Sequence, residues 1–365
     1  MPAVSGHPFS TYLKNRRDKR PVSYTHLDVY KRQVYYDTSL KLAVSEFSIV
    51  SRNFSSPCKN AAVENICGID YLTFDFNGEM MEGDVKAVSC LSFFYALFAL
   101  ERRGGQTVLL PVARNFFPFI DETMGSMLKY TGKTNELFTK TLINAAYFSQ
   151  PAREHIRLLD PVAGKGTTLF EGLSKGFDVY GIEIGSGVVN EACRFTKRYL
   201  ENARYKFEYN SVRISGPNKS FSARKSTFET AKTKEAFKGG GRKTIEFIAG
   251  NSIYAHRFYR KNFFDVIVGD LPYGVQHSSV TNEKQSSMTR NPSELLRECL
   301  PAWKTVLKPE GAIALAWNCS VLSRSAMEDI FEEFSMDVLK DSIYLGFRHR
   351  VDQSITRDII VAKKI

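Results

Sequence analysis

Two loops far apart in the chain combine residue types that could hold a cofactor and orient an amine. The first, Asp160–Gly166 (DPVAGKG), follows the apolar run Ile156–Leu159, and the second, Asp270–Tyr273 (DLPY), follows Val266–Gly269. Each pair is typical of a β-strand that ends in a loop, and open α/β sheets bind ligands at the carboxyl ends of their strands. We therefore predict two adjoining pockets at one edge of a single sheet.

The DLPY loop suits an exocyclic amine of a nucleobase, whose lone pair is delocalised into the ring and has to be oriented for attack. Asp270 can accept one amine hydrogen, and the backbone carbonyl of Leu271 can accept the other. Pro272 fixes the direction of the chain, and Tyr273 can stack on the base, a contact worth ~1–3 kcal/mol. The alternative is a plain turn in which Pro272 only ends the strand.

The glycines of the first loop leave room for a ligand beside the N-terminus of the following helix, which offers unpaired N–H groups. A phosphate-binding P-loop would need Ser or Thr where Gly166 stands, and the dinucleotide fingerprint would need glycine at Leu169. S-adenosylmethionine fits better. Glu183 ends the next strand, where a carboxylate can accept both ribose hydroxyls, and Asp160 can face the methionine ammonium.

Asn251 and Ser252 follow the strand Thr244–Ala249 and are placed to meet the adenine, although an Asn at this point also suits a turn. For Glu183 the alternative is a surface carboxylate at a strand end. We expect no metal. The residues assigned to the cofactor are Asp160, Ala163, Gly164, Gly166, Thr167, Glu183, Asn251 and Ser252, and those assigned to catalysis are Asp270, Leu271, Pro272 and Tyr273.

The elements around these loops predict an α/β fold, with a Rossmann-like, seven-stranded mixed sheet and a smaller N-terminal α+β region. From His155 strands and helices alternate, as crossover connections between parallel strands require. A hairpin of Ser342–Arg348 with Arg357–Ala362 is expected to close the sheet. A basic insertion, residues 205–243, interrupts the alternation.

Three segments organise the chain. Residues 1–33 are expected to be a disordered or non-native tail, because Pro21–Gln33 resembles adapter-derived read-through. Residues 34–125 form a strand-like, aromatic appendage, a candidate for substrate recognition, with a hairpin at the two glycines 104 and 105. Residues 126–365 form the catalytic domain, entered by a helix that Thr134 or Asn135 caps.

The net charge of +11 favours a polyanionic partner, because Lys and Arg that neutralise phosphates release condensed counterions. Residues 194–243 hold fourteen Lys and Arg against four Glu, so we expect RNA to bind through the basic insertion; a solvated basic loop is the alternative. The longest apolar run, Phe93–Leu100, is too short to cross a bilayer. Scattered cysteines and the absence of a signal-peptide pattern indicate a cytoplasmic protein.

From about Leu128 to Ile365 the chain resembles the RNA methylase family, and within it the THUMP-associated tRNA guanine-N2 methyltransferases. The matching segments are Lys129–Asn135, Asp160–Thr168, Gly181–Glu183, Asp270–Gly274 and His349–Gln353. The resemblance implies a class I methyltransferase fold and methylation of the guanosine 2-amino group in tRNA. It places Asp270 and Tyr273 in catalysis and Gly164, Gly166 and Glu183 at the cofactor.

Two departures from the family pattern bear on the substrate. Leu271 stands where many members have proline, and no THUMP module is recognisable in residues 34–120. A DNA adenine-N6 or cytosine-N4 methyltransferase would need the same acceptors for an amine, those of the DLPY loop. The RNA enzyme and the DNA enzyme would both have to extrude a paired base. A non-catalytic RNA-binding protein on a methyltransferase scaffold is the third alternative.

Overall fold

The computed structural model describes residues 22–27, 33–128, 133–272, 292–351 and 355–365, which fall into two compact units. The smaller unit contains Val50–Phe116 and the strand β1 (Val22–Leu27). The larger unit contains Phe117–Ile365 and all but the last residue of the helix α1 (Gln33–Val50). Across the described residues, no helix combines the length and the apolar character that a membrane crossing requires.

The smaller unit is a five-stranded antiparallel sheet with the strand order β2-β3-β1-β4-β5. Its further elements are β2 (Cys58–Ile66), β3 (Ile69–Phe76), α2 (Glu82–Ser89), β4 (Phe94–Arg103) and β5 (Gln106–Val112). Gly104 and Gly105 have φ angles of 57° and 78° and connect β4 to β5. The predicted hairpin is therefore confirmed, because two successive positive φ angles define its tight turn.

Two features of the N-terminal part differ from the sequence-based expectation. The helix α1 occupies a stretch that we predicted to be strand-like. Its buried positions include Ser45 and Glu46, which interrupt the apolar helical period. The strand β1 lies between β3 and β4, in a segment that we expected to be a tail. The non-native origin of residues 1–33 stays a prediction.

The larger unit is built on a ten-stranded mixed sheet in the order β13-β15-β12-β11-β6-β7-β10-β9-β8, with β14 paired to β15. The strands are β6 (Arg157–Asp160), β7 (Asp178–Glu183), β8 (Lys206–Ser215), β9 (Ser222–Ala231), β10 (Lys243–Ala249), β11 (Phe264–Asp270), β12 (Leu307–Asn318), β13 (Met336–Val338), β14 (His349–Arg350) and β15 (Thr356–Lys364). The five neighbouring strands β12, β11, β6, β7 and β10 are parallel to one another. All other pairs in the sheet are antiparallel. The predicted Rossmann-like α/β fold is confirmed, with ten strands instead of seven.

Helices cover both faces of this sheet. They are α3 (Met124–Met127), α4 (Glu136–Tyr147), α5 (Thr167–Ser174), α6 (Ser186–Asn202), α7 (Lys234–Lys238), α8 (Ala255–Phe258), α9 (Pro292–Val306) and α10 (Arg324–Glu333). One apolar cluster includes residues of α4, α5 and α6, and a second includes residues of α9 and α10. In β11, Val266 belongs to the first cluster and Ile267 to the second. Burial on both faces explains the continuous apolar runs of the central strands.

The basic insertion is a folded hairpin, which corrects the expectation that residues 205–243 only interrupt the sheet. Its strands β8 and β9 pair with each other, and β9 extends the sheet beyond β10. The buried positions of β9 include Ala223, Ser226 and Thr230. Small and hydroxyl side chains give little hydropathic alternation, so the strand signal is weak in the sequence.

The C-terminal hairpin also differs from its prediction. The hairpin partner of β15 is the short strand β14 (His349–Arg350), just beyond the expected Ser342–Arg348, and Met336–Val338 pairs antiparallel with the far end of β15. Residues Ser342–Tyr344 form a 3₁₀ turn instead. Tyr344 and Phe347 are both buried, and this spacing of three residues suits a turn rather than the alternation of a strand.

Candidate active site

The loop between β6 and α5 depends on two glycines with positive φ. Gly166, at φ 93°, caps the N-terminus of α5, and a Cβ there would lie 2.9 Å from Cε1 of Phe247. Gly164, at φ 51°, has open space at the corresponding position. Other residues adopt such φ angles only with strain. The backbone at Gly164 is therefore open to the approach of a ligand.

Glu183, the last residue of β7, holds this loop in place. Its Oε2 accepts a hydrogen bond from the N–H of Gly164 at 3.0 Å, and its Oε1 accepts one from Gly185 at 2.8 Å. The N–H of Ala163 donates to the carbonyl of Ile182 at 2.9 Å. The carboxylate is half-buried, and each oxygen keeps acceptor capacity beyond these bonds. Glu183 thus links the loop to the end of β7 and can still accept from a ligand.

Asp160, the last residue of β6, is a buried carboxylate held by neutral donors. Its Oδ1 accepts from the N–H of Val162 at 3.0 Å, and the hydroxyl of Thr168 also donates to it. Burial raises the pKa of Asp160 to about 7, with smaller upward contributions from the charges of Asp270 and Glu183. Among the described residues that shift this pKa, none is a cation. A cationic ligand would relieve the unfavourable charge.

Asp270, the last residue of β11, lies at the same sheet edge, because β11 and β6 are parallel neighbours. Its Oδ2 accepts from Oγ1 of Thr134 at 2.6 Å and lies 3.5 Å from Nη2 of Arg357. Burial raises the pKa of Asp270, whereas Arg357, Thr134 and His349 act to lower it. The carboxylate is thus oriented by two side chains from other elements.

Arg357 reaches Asp270 from β15 and is itself held by an aromatic side chain. Its guanidinium carbon lies 4.7 Å from the ring centroid of Phe138, within the range of a cation–π contact. The ring of His349 packs on the same Phe138 at 5.1 Å, and its Nδ1 lies 2.8 Å from the carbonyl oxygen of Phe347. Burial lowers the pKa of His349. Its surroundings therefore agree with a packing role in the C-terminal part of the sheet.

The rest of the DLPY loop is described only in part. Leu271 is buried, and its N–H donates to the carbonyl of Ala316 at 2.8 Å, which anchors the loop to β12. Pro272 is exposed. Tyr273 lies outside the described residues, as do Lys129–Gly132, Gly274, Asp352 and Gln353 of the family match. The stacking role of Tyr273 therefore stays a prediction.

Asn251 and Ser252 begin the turn that follows β10. The side chain of Asn251 accepts from the backbone N–H two residues on, at 3.0 Å, which is the turn chemistry that the sequence left open. Ser252 is buried, and its Oγ accepts from Nε1 of Trp303 at 2.8 Å. The N–H of Gly250 donates to the carbonyl of Glu183 at 3.0 Å. Asn251 thus lies beyond the carboxyl end of β10, one residue after Gly250, while the hydroxyl of Ser252 serves the packing of α9.

Three side chains at this edge were not singled out for the site from the sequence. Thr168 stands in the first turn of α5 and donates to Asp160, one residue beyond the buried Thr167. Thr134 binds Asp270, while the adjacent Asn135 is the helix cap. Thr168 and Thr134 could have been found from the sequence, because one hydroxyl follows a glycine loop and the other lies beside a helix cap. No sequence pattern indicates Arg357, because only the pairing of the sheet brings β15 to the site.

Asp160, Glu183 and Asp270 bring three carboxylates to this edge of the sheet. Within the part of the chain that the structure describes, no group of three His, Cys, Asp or Glu side chains is arranged to hold an ion. Asp160 and Asp270 influence each other electrostatically, and both have their pKa raised by burial. Buried carboxylates of raised pKa favour a cation that can also donate hydrogen bonds.

No family model matches this chain, and no curated protein matches it. Solved structures similar to it include TrmN from Thermus thermophilus, with 14% identity and a TM-score of 0.38 over 73% of this chain. This chain spans 59% of the length of TrmN. The 16S rRNA methyltransferase RsmC of Thermus thermophilus, in complex with AdoMet and guanosine, is 13% identical at a TM-score of 0.34, over 84% of this chain and 58% of its own.

A SAM-dependent methyltransferase from Archaeoglobus fulgidus is a third similar structure. It is 14% identical at a TM-score of 0.34, over 63% of this chain and 94% of its own. Identities at this level concern the fold alone. The assignment of this chain to the Rossmann-like α/β class follows from its own strand order and crossover helices.

Proposed function

We propose that this chain is an S-adenosylmethionine-dependent methyltransferase that modifies an exocyclic amine of a nucleobase, with guanosine N2 in tRNA or another RNA as the leading substrate. The observation that carries the proposal is the adjacency of β6 and β11. It brings the glycine loop, with Asp160 and Glu183, next to the carboxylate of Asp270. Ligands of open α/β sheets bind at such an edge, outside the carboxyl ends of the strands.

The residues of the glycine loop fit the methyl donor. Its ammonium would meet Asp160, whose hydrogen-bond donors Val162 and Thr168 are neutral, and its ribose hydroxyls would meet Glu183. Gly164 offers open backbone beside them, and Asn251 lies near the adenine side. When bound, S-adenosylmethionine supplies an electrophilic methyl group on a sulfonium.

Asp270 orients the amine and takes up its proton. One carboxylate oxygen, Oδ2, is held by Thr134 and Arg357, so the carboxylate is fixed before the substrate arrives. The amine would lose one N–H proton to the carboxylate as the new N–C bond forms, while the S–CH₃ bond of the sulfonium breaks and a neutral thioether leaves. Burial raises the pKa of Asp270, which makes it a stronger base than an exposed carboxylate. Alignment of this kind is worth ~7–11 kcal/mol in well-oriented systems.

The resemblance to guanine-N2 methyltransferases and the positive charge favour RNA as the substrate. The excess of Lys and Arg in residues 194–243 includes the hairpin β8–β9, which is part of the same sheet as the site. A polyanion that binds along this side gains counterion release. No metal is part of the proposal.

Parallel methyl-transfer assays test the proposal. Purified protein and radiolabelled S-adenosylmethionine are incubated with tRNA, rRNA and duplex DNA, and the modified nucleoside is identified by mass spectrometry. We expect label on guanosine N2 in RNA. Label on adenine N6 or cytosine N4 of DNA would show that the substrate is DNA, and the RNA part of the proposal would be wrong. Absence of transfer to all three, together with no binding of S-adenosylmethionine by calorimetry, would refute it.

A further inference from the structure

The β8–β9 hairpin carries two arginines of like charge directly opposite each other. Arg213 in β8 and Arg224 in β9 are cross-strand partners, and both are exposed. Opposite side chains on one face have their Cβ atoms ~4.5–5.5 Å apart, and like charges in that position destabilise a sheet. Within the described ranges, neither guanidinium forms an ion pair or a hydrogen bond with another side chain. An anion between them would remove the repulsion.

The next cross-strand pair on the same face adds hydroxyl groups. Ser215 and Ser222, which lie opposite each other beyond the arginine pair, are both exposed, whereas Ser226 on the other side is buried and bonds to Ser211. We call the two exposed pairs the donor strip: Arg213, Ser215, Ser222 and Arg224. The strip contains guanidinium and hydroxyl groups and no carboxylate. Arginine binds phosphate through paired N–H donors, and hydroxyls add single hydrogen bonds.

Other basic residues of the insertion have partners within the protein. Lys225 lies on the opposite face of the strand, with Nζ 2.9 Å from Oε2 of Glu246 and 5.6 Å from the ring centroid of Tyr259. Nζ of Lys232 donates to the carbonyl of Pro118 at 2.7 Å. The basic residues of the insertion therefore fall into two groups, those with partners among the described residues of the protein and those without. The exposed arginine pair differs from the lysines that stabilise the fold.

The register of the sheet relates the donor strip to the proposed site. Arg213, Arg224, Ala249 and Glu183 are successive partners across β8, β9, β10 and β7. With strands ~4.8 Å apart, the backbone at Arg224 lies ~10 Å from that at Glu183. The strand β11, which carries Asp270, is four strands from β9, or ~19 Å by the same spacing.

We propose that the donor strip binds a backbone phosphate of a polynucleotide whose target base lies at Asp270. This inference rests on the proposed function and adds a length requirement. A phosphate ~20 Å from the reacting base belongs to a different nucleotide. The substrate therefore extends beyond the target nucleotide by this distance, which a nucleoside or an oligonucleotide too short to span it does not.

A charge-matched pair of variants tests the donor strip. R213A/R224A removes two charges from the strip, and K234A/K238A removes two exposed charges from α7, which follows the far end of β9. Binding of a tRNA transcript is measured against salt concentration, and binding of S-adenosylmethionine by calorimetry. Each lost phosphate contact lowers the slope of log K against log salt by ~0.7–0.9. We expect R213A/R224A to flatten the slope by ~0.7–0.9, as for one lost phosphate contact, and to weaken RNA binding ~10-fold or more, with cofactor affinity unchanged.

The control and a second variant separate the outcomes. K234A/K238A should keep a steeper salt slope than R213A/R224A, and R213K/R224K should recover the slope with weaker affinity than wild type, because lysine lacks the paired donors. If R213A/R224A and K234A/K238A bind RNA equally, or if wild type methylates a short oligonucleotide as well as full-length RNA, the inference is wrong while the proposed methylation stands. Wild-type protein that methylates no RNA would instead overturn the proposed function.

Discussion

Asp160 and Asp270 end neighbouring parallel strands, yet their surroundings differ. Both are carboxylates whose pKa burial raises. At Asp160 burial raises the pKa to about 7, with smaller upward contributions from Asp270 and Glu183, and the hydrogen bonds from its neutral donors offset only part of the rise. Asp270 is paired with Arg357 and Thr134, which oppose the effect of burial. The protein thus supplies a cation to one carboxylate, and the cofactor would supply it to the other.

The largest effect should come from Asp270→Asn. An amide cannot take up a proton from the amine, and general-base groups typically contribute 10²–10⁴-fold to rate. We expect kcat to fall by about that factor in single-turnover methyl transfer, with calorimetric affinity for S-adenosylmethionine within about threefold of wild type. Asp337→Asn, in the exposed middle residue of β13, is the matched control and should leave the rate unchanged. A fully active D270N protein would remove Asp270 from the chemistry.

Asp160→Asn should weaken cofactor binding and stabilise the ligand-free protein. A hydrogen bond between charged groups contributes ~1.5–3 kcal/mol, so we expect the Kd for S-adenosylmethionine to rise ~10–100-fold. Because the folded pKa of Asp160 is raised, its ionisation costs stability as pH rises from about 4 to about 7. The variant should therefore melt higher than wild type at pH 8, by ~2–4 °C per kcal/mol relieved. Equal cofactor affinity in D160N and wild type would contradict the assignment.

The affinity for S-adenosylmethionine should fall with decreasing pH. Below about pH 7 Asp160 of the ligand-free protein holds a proton, and that proton has to leave before the ammonium of the cofactor can bind. Calorimetry between pH 5.5 and pH 8 should show a loss that approaches tenfold per pH unit at the acid end. D160N should show no such dependence. A flat wild-type profile would mean that Asp160 does not meet the cofactor.

Smaller effects should distinguish the residues that position Asp270. Arg357→Gln removes the cation that lowers the pKa of Asp270, so the acid limb of the pH–rate profile should move to higher pH. Thr134→Val should shift the limb in the same direction and lower kcat by only a few fold. Arg357→Lys should restore part of the profile. A role limited to packing would change stability without moving the limb.

The sequence was sufficient to predict the parallel strands at the centre of the sheet, but it did not predict the strands at the edges correctly. β7 ends at Glu183, as predicted, and β6, β10 and β11 lie within a few residues of the expected strands. These strands are buried on both faces, so their apolar runs are unambiguous. The hairpin β8–β9 was missed as sheet because its inner face uses Ser and Thr, and the helix α1 because its inner face includes Glu46.

Local sequence by itself determined which residues are proposed to carry the chemistry. Asp160, Gly164, Glu183 and Asp270 were identified because each follows a recognisable apolar strand, and a strand end is where side chains face a ligand. Sequence also identified the excess positive charge of the insertion. The tertiary structure alone decided what surrounds these groups. It brought Arg357 and Thr134 to Asp270, and it set Arg213 opposite Arg224. Such contacts join residues far apart in the chain or depend on strand register. The local hydropathy pattern contains no information about either.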